Sequence, residues 1–285
     1  MRITLTKLFL LGVALPALFV PAFAANEKNY TYLALGDSVA FGYISYVNAP
    51  PDSFIGYPEV VADAMKLLKS KKLTNSSCPG QSSFSFLYGG LDIGCEGIRS
   101  SIGLKTNYTG TQMEFALSEL KTNKHINLVT LNLGGNDLSL LQVQCANPNP
   151  AIFAACVQVN IGGVLASYAE NLGAILGGIR YSAGYTGTLV LLTQYSPSGD
   201  PIFLGAVAGL NAVAATVSQT PGFNVRLADG FTPFLAASAP SGDPCTAGLL
   251  VYFPGTTTCD IHPSKLGREL LAAAVLNALD GAPKK

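Results

Sequence analysis

The sequence predicts an α/β protein, a three-layer α/β/α sandwich built on a parallel sheet. Two observations support this prediction. Short apolar runs without polar alternation recur along the chain, which is typical of strands buried on both faces. Segments with apolar residues at helical spacing lie between them, and this alternation favours a parallel sheet covered by helices. The composition agrees, since the 285-residue chain is 49% hydrophobic and only 12% charged.

Four apolar runs are predicted as strands, at residues 30–35, 128–133, 189–193 and, less clearly, 223–228. Four segments are predicted as helices. Residues 58–69 have an apolar stripe at helical spacing, and a capping box of Thr111 and Glu114 begins a second helix. A third covers roughly 161–181, and the last runs from an N-cap at Ser264 to about residue 279. In such folds ligands bind at the carboxyl ends of the strands, so residues that follow strands are the first functional candidates.

Charge and hydropathy exclude several classes of protein. The 17 basic residues balance 17 acidic ones without a basic stripe, so we predict no nucleic-acid partner. High hydrophobic content excludes a disordered chain. No uninterrupted apolar run reaches the roughly 18–20 residues of a spanning helix, so we predict no stable membrane insertion. No repeat or linker divides residues 25–285, which we predict to form a single domain.

The first 24 residues have the pattern of a cleaved signal peptide. Two basic residues precede an apolar run at residues 8–20, and a small-x-small motif ends at Ala24. A retained anchor is the alternative, but the run is short and contains Pro16. We predict cleavage before Ala25 and a secreted or periplasmic protein.

The six cysteines are consistent with export. An even number without a Cys-x-x-Cys motif indicates disulfides rather than metal ligands in an oxidising compartment. Several pairings are possible, and buried free thiols are an alternative. Pairing neighbours gives three short loops and is the predicted connectivity: Cys78–Cys95, Cys145–Cys156 and Cys245–Cys259.

Two motifs that could support chemistry follow predicted strands directly. Gly36-Asp37-Ser38 comes after residues 30–35, and a serine in a tight turn before a helix has an exposed hydroxyl. Gly134-Gly135-Asn136-Asp137 follows residues 128–133, where the asparagine amide can donate a hydrogen bond across the sheet edge. Each motif alone also fits an ordinary turn or helix cap.

Only two histidines can serve as a base for Ser38. His125 precedes its predicted strand, roughly 20 Å from the carboxyl edge at about 3.3 Å per residue, and is expected at the surface. His262 lies in Asp260-Ile261-His262-Pro263, just before the last helix. It is therefore the candidate, with a structural role as the alternative.

Together these motifs resemble the GDSL family of SGNH hydrolases. The family order is Gly-Asp-Ser, a second-block glycine, Gly-x-Asn-Asp and a carboxyl-terminal His-Pro, represented here by residues 36–38, Gly80, 134–137 and 262–263. The match extends over nearly all of the chain after residue 24. The resemblance implies a flavodoxin-like central sheet and hydrolysis of carboxylic esters without cofactor or metal.

The resemblance also implies a role for each residue. Ser38 would be the nucleophile that forms an acyl-enzyme, with His262 as general base. The N–H groups of Ser38 and Gly80 and the side-chain amide of Asn136 would form the oxyanion hole. Glycine suits position 80 because a side chain would obstruct the approach of the backbone.

One position departs from the family pattern. The usual acid lies three residues before the histidine, where this chain has Cys259, and Asp260 lies only two before it. Either the Asp260 carboxylate reaches the far imidazole nitrogen, or a backbone carbonyl near Cys259 orients the ring. We predict Asp260 as the third catalytic residue, and a solvated loop residue is the further alternative.

The substrate is predicted more coarsely, as a small-molecule or lipid acyl ester bound by a monomer. Aromatic and apolar residues expected near the site favour an acyl chain or aryl ester, although packing roles are the alternative: Phe41, Tyr43, Phe54, Phe84, Phe86, Leu87, Tyr88 and Tyr195. The predicted short disulfides would brace the catalytic loops or simply stabilise the fold. Acyl transfer, polysaccharide deacetylation and a non-catalytic extracellular binding module are the rival functions.

Overall fold

The computed structural model describes residues 31–280, so the predicted signal peptide lies outside the described residues. A parallel sheet has the strand order β2-β1-β3-β4-β5. Its strands are β1 (Thr31–Gly36), β2 (Leu73–Asn75), β3 (Ile126–Asn132), β4 (Thr188–Leu192) and β5 (Val225–Ala228). This is the flavodoxin-like order, and it confirms the predicted α/β/α sandwich. A separate antiparallel pair consists of β6 (Leu250–Tyr252) and β7 (Cys259–Pro263).

Helices cover both faces of the sheet. In chain order they are α1 (Ser38–Phe41), α2 (Tyr57–Ala64), α3 (Ser83–Tyr88), α4 (Cys95–Ser101), α5 (Gln112–Thr122), α6 (Gly135–Gln144), α7 (Pro150–Gly177), α8 (Pro201–Ser218), α9 (Phe231–Ser238) and α10 (Lys265–Asp280). Helices α3, α5, α6, α7 and α8 pack on one face. Helices α1, α2, α9 and α10 pack on the other.

The strands contribute to two cores, one on each side of the sheet. Leu33, Val129 and Leu191 face the α5–α7–α8 side, whereas Tyr32 and Val190 face the α2–α10 side. All five are fully buried. Burial on both faces is the reason that the strand sequences lack polar alternation.

Two of the outer helices differ from the prediction. Helix α7 begins at Pro150 rather than near residue 161, because the Asn149 side chain accepts a hydrogen bond from the Ala151 N–H and caps it. A π-helical turn, Gly178–Ser182, follows its last residue. Helix α8 was not predicted, because no charged residue between Asp200 and Arg226 marks a solvent face.

These two helices weaken one argument made from the sequence. Both α7, with its π-helical turn, and α8 have the length and apolar composition of membrane-spanning helices. Each nevertheless packs a stripe of buried side chains towards the sheet, with Tyr168 and Leu172 on α7 and Val207 and Leu210 on α8. The absence of stable membrane insertion therefore stays a prediction that composition alone does not support.

The three predicted disulfides are confirmed. Cys78 pairs with Cys95, Cys145 with Cys156, and Cys245 with Cys259. Each joins two elements or loops that are close in the sequence, as the short-loop pairing required.

Candidate active site

A cavity of about 250 Å³ lies beside the carboxyl ends of β1 and β3. Ser38, Asn136 and His262 all line it, although they are far apart in the sequence. In this strand order the crossover direction reverses between β1 and β3, which is where doubly wound folds bind ligands. The topology therefore brings Ser38 and Asn136 to one place, and His262 reaches it from the separate β6–β7 pair.

Ser38 occupies the first position of α1, in a turn that requires glycine. The Asp37 side chain caps the helix by accepting a hydrogen bond from the Val39 N–H at 2.9 Å. Gly36 has a φ of +145°, and a Cβ there would lie 2.4 Å from the Asn132 carbonyl oxygen. The close approach of β1 and β3 thus excludes any side chain at position 36.

A buried amide network holds this turn, and sequence reasoning missed it. Gln112 is fully buried. Its Oε1 accepts from the Gly36 N–H at 2.7 Å, and its Nε2 donates to the Gly36 carbonyl at 2.9 Å and to Gln81. Asn136 Nδ2 donates to the Gln81 carbonyl at 3.0 Å. The only sequence signal at Gln112 was the capping box, which marks a helix start but not the direction of that side chain.

Gly80 lies next to this network but does not line the cavity. Its φ is +87°, and a Cβ there would lie 2.6 Å from the Ile93 carbonyl carbon. The Ile93 N–H donates to the Gly80 carbonyl at 2.8 Å, and Cys78–Cys95 joins the two segments. Within residues 31–280 no acceptor takes the Gly80 N–H. Asn136 has a second amide hydrogen besides the one donated to Gln81.

Asp260 lies within hydrogen-bonding distance of His262. The imidazole Nδ1 is 2.7 Å from Asp260 Oδ1, and Asp260 Oδ2 accepts from the Ser45 N–H at 2.7 Å. Both Asp260 and His262 are buried, at 3% and 7% exposure, so Asp260 is not a solvated loop residue. Of the arrangements considered from the sequence, the carboxylate contact is the one present.

His262 lies just before the last helix, as expected. It belongs to β7 in the small antiparallel pair. The Tyr43 ring packs edge-on against the imidazole with centroids 5.4 Å apart. The Tyr195 hydroxyl donates to the Ile261 carbonyl at 2.7 Å. His125, by contrast, is exposed just before β3, as expected.

Ser38 and His262 share the cavity without a direct hydrogen bond. No side chain of the described region hydrogen-bonds the Ser38 hydroxyl, which is reachable from the cavity. Catalytic hydrogen bonds are often long in unliganded enzymes and shorten when substrate binds. The arrangement is therefore compatible with proton transfer from Ser38 to the imidazole.

Two carboxyl groups near the site have pKa values shifted in opposite directions. Burial would raise the pKa of Asp260, but hydrogen bonds from His262 and Ser45 and the imidazole charge outweigh it and hold that pKa below its usual value. Burial raises the pKa of Asp37 to about 7. The charge of Asp137 also raises this pKa, whereas the hydrogen bond from the Val39 N–H lowers it. Asp260 is thus suited to stabilise a positive imidazolium, whereas Asp37 is not.

The lining of the cavity is mainly apolar and contains no lysine or arginine. Val39, Leu138, Tyr195, Pro197, Phe203, Val207 and Ile261 supply its apolar surface. Of the aromatic and apolar residues expected near the site, Tyr195 lines the cavity and Tyr43 packs against His262. Phe41, Phe54 and Phe86 are buried in the cores, and Tyr88 is exposed away from the cavity. Phe203 was missed because α8 was not predicted.

The described region contains one group of side chains with metal-ligand spacing, Asp92, Cys95 and Glu96. Cys95 is in a disulfide, and Asp92 Oδ1 accepts the N–H groups of Gly94 and Cys95. These atoms are thus already used to begin α4, so the group does not fit a metal.

No protein-family model and no curated protein matches the chain. Solved structures do, over almost the whole of both chains. A phospholipase A1 from Streptomyces albidoflavus aligns with a TM-score of 0.57 at 18% identity, covering 89% of this chain and 99% of the other. A Parabacteroides merdae protein described as a GDSL-like lipase gives 0.54 at 16%, with coverage of 89% and 96%. An acetylxylan esterase from Geobacillus stearothermophilus gives 0.51 at 14%, with coverage of 90% and 95%.

These likenesses establish the fold. The protein has the three-layer fold of the GDSL-like hydrolases, which confirms the architecture implied by the motifs. The neighbours named here are carboxylic ester hydrolases.

Proposed function

We propose that the protein is an exported serine esterase or lipase. The observation that supports this most strongly is the Asp260–His262 pair, which faces a cavity also lined by Ser38 and Asn136. A fold shared with a phospholipase A1 and an acetylxylan esterase supports the same reaction class. No ion or prosthetic group is needed for the proposed steps.

In this mechanism the ester carbonyl carbon is attacked by Ser38 Oγ. His262 Nε2 takes the hydroxyl proton, while Asp260 holds Nδ1–H and stabilises the imidazolium. The Ser38 and Gly80 N–H groups and the Asn136 amide stabilise the oxyanion. Collapse of the tetrahedral intermediate breaks the ester C–O bond, and His262 protonates the leaving alcohol. Water then attacks the acyl-Ser38 ester by the same route.

The cavity favours an uncharged acyl group. Its wall is mainly apolar and has no cationic side chain that would bind a carboxylate or phosphate near the reacting carbon. A small-molecule or lipid ester of an aliphatic acid fits this lining. The likeness to the Geobacillus enzyme makes deacetylation of a polysaccharide the second candidate, and acetylated xylan is its test substrate.

Hydrolysis of 4-nitrophenyl acetate and butyrate tests the proposal. Ser38→Ala should lower kcat by at least about 10⁴-fold, since it removes the proposed nucleophile. Ser139→Ala is the matched control, because Ser139 lines the same cavity but donates its hydroxyl to the Gly135 carbonyl at 3.1 Å. Equal loss in both variants, or none in Ser38→Ala, would refute the role of Ser38. An inactive wild-type protein would favour the binding-module alternative.

A further inference from the structure

A second, apolar cavity lies behind one wall of the active-site cavity, between α6, α7 and α8. We call it the distal compartment, and its own lining is Leu141, Phe153, Val157, Ile202 and Ala206. Its volume is about 20 Å³, and it is partly open to solvent because Phe153, Ile202 and Ala206 are half-buried. Gln142 is its one polar lining residue. Its apolar surface favours contact with a hydrocarbon group.

The two cavities share a partition made of side chains. Leu138, Gln142 and Phe203 line both of them. Gln142 and Phe203 are half-buried, and no partner within the described region hydrogen-bonds the Gln142 amide. The Phe203 ring packs loosely on Phe153, with centroids 6.3 Å apart. The two cavities are thus adjacent and share lining side chains.

The outer wall of the compartment, by contrast, is held covalently. The Cys145–Cys156 disulfide joins the end of α6 to α7. Cys145 and Val157 belong to one buried cluster with Leu141, against which Phe153 and Ile202 pack. The side of the compartment away from Ser38 is thus held by a disulfide, and the side towards Ser38 by side chains alone.

We propose that the distal compartment binds the end of a linear acyl chain whose carbonyl lies at Ser38. The inference rests on the proposed function and names its substrate class, esters of medium-chain aliphatic acids. The chain passes between Leu138 and Phe203, and its terminal methylenes contact Val157 and Ala206. Burial of each methylene contributes about 0.8 kcal/mol, so kcat/KM should rise roughly fourfold per methylene until the compartment is filled.

The test is the ratio of kcat/KM for 4-nitrophenyl octanoate to that for the acetate. Ala206→Leu fills the compartment and should lower the ratio at least about tenfold. Ala208→Leu makes the same change on the exposed face of α8 and should leave the ratio unchanged. Phe203→Ala removes the aromatic ring between the two cavities and should move the preferred ester towards longer acyl chains. This second test does not depend on fitting a larger side chain into the compartment.

The outcomes separate this inference from the proposed function. Ser38-dependent hydrolysis with the same ratio in wild type, Ala206→Leu and Phe203→Ala would overturn the acyl compartment and leave the esterase standing. Absence of Ser38-dependent hydrolysis for every ester would overturn both. Thermal unfolding by circular dichroism verifies that each variant is folded before its ratio is used.

Discussion

At the scale of single residues, the spacing of Asp260 and His262 explains how the carboxylate reaches the imidazole. Residues two apart on an extended strand project from the same face, so both side chains point to one side of β7. Ile261 between them projects the other way and is 52% exposed. An acid three residues before the histidine would need a turn, which β7 lacks. The departure from the family spacing is therefore compensated by strand geometry.

Asp260→Asn tests whether this contact orients the imidazole. The amide would favour the wrong tautomer and would not stabilise the imidazolium, so kcat should fall by roughly 10⁴-fold. Hydrolysis of 4-nitrophenyl acetate measures the effect, with Asp243→Asn as control, because Asp243 is half-buried and does not line the cavity. A loss within about tenfold would mean that another group, such as a backbone carbonyl near Cys259, orients the ring.

Asp37 makes a prediction about pH and stability. Its pKa in the folded protein is about 7, above that of an unfolded aspartate, so the folded state retains a proton that the unfolded state loses. Stability from this group is complete below pH of about 4 and is lost as pH rises to about 7. Asp37→Asn keeps a capping oxygen and should therefore become more stable relative to wild type at pH 8 than at pH 5.

Urea unfolding at the two pH values measures this difference. Asp200→Asn is the matched control, because Asp200 caps α8 in the same way, at 2.8 Å from the Ile202 N–H, but is exposed. If the stability of Asp37→Asn relative to wild type does not change between pH 5 and pH 8, the raised pKa of Asp37 is refuted.

At the scale of elements, the three disulfides hold different parts of the molecule, and two of them lie next to predicted site residues. Cys78–Cys95 holds the segment of Gly80 against that of Ile93, and Cys245–Cys259 ends next to Asp260. Cys145–Cys156 lies instead behind the distal compartment. The sequence distance between each cysteine and the nearest motif did not predict this difference. Only the packing of α6 on α7 shows that Cys145–Cys156 supports the distal compartment.

Replacing both cysteines of a bridge tests whether that bridge positions the active site or only stabilises the fold. Cys78→Ser/Cys95→Ser and Cys145→Ser/Cys156→Ser should each lower the free energy of unfolding by roughly 3 kcal/mol, since their loops are similar in length. Only the first pair should also lower kcat for the acetate ester, because it frees the segment of Gly80, the proposed oxyanion donor. Equal kcat values in both double variants would show that the bridges stabilise the fold without positioning the site.

The elements also show what the sequence could and could not predict. Strands β1, β3 and β4 were predictable because burial on both faces leaves an unbroken apolar run. Strand β2, with only three residues, and the uncharged helix α8 had no such signal. The predicted site residues came from motifs, whereas Gln112 and Phe203 act through tertiary contacts that local patterns do not encode.

At the scale of the whole molecule, the site depends on the complete sandwich. Ser38 and Asn136 follow strands β1 and β3, and His262 comes from a pair of strands outside the main sheet. Tyr195, after β4, is hydrogen-bonded to the β7 backbone and connects that pair to the sheet. These groups are spread over residues 38–262 and meet only in the folded chain, so we expect activity to disappear together with the global fold.

Export is a prediction about the whole chain. When the protein is produced in a host that exports it, its amino terminus should be Ala25 and all six cysteines should be oxidised. Intact mass before and after reduction and alkylation, with amino-terminal sequencing, measures both. A product that retains residues 1–24, or that contains free thiols in the exported fraction, would contradict the signal peptide and the exported state.

The most direct test of the account is the site and rate of labelling by a fluorophosphonate. Peptide mass spectrometry should find a single adduct, on the Ser38 hydroxyl, and His262→Ala should slow its formation by at least about 10³-fold because the serine then has no base. An adduct on another residue, or labelling of Ser38 at an undiminished rate without His262, would contradict the proposed pairing of nucleophile and base.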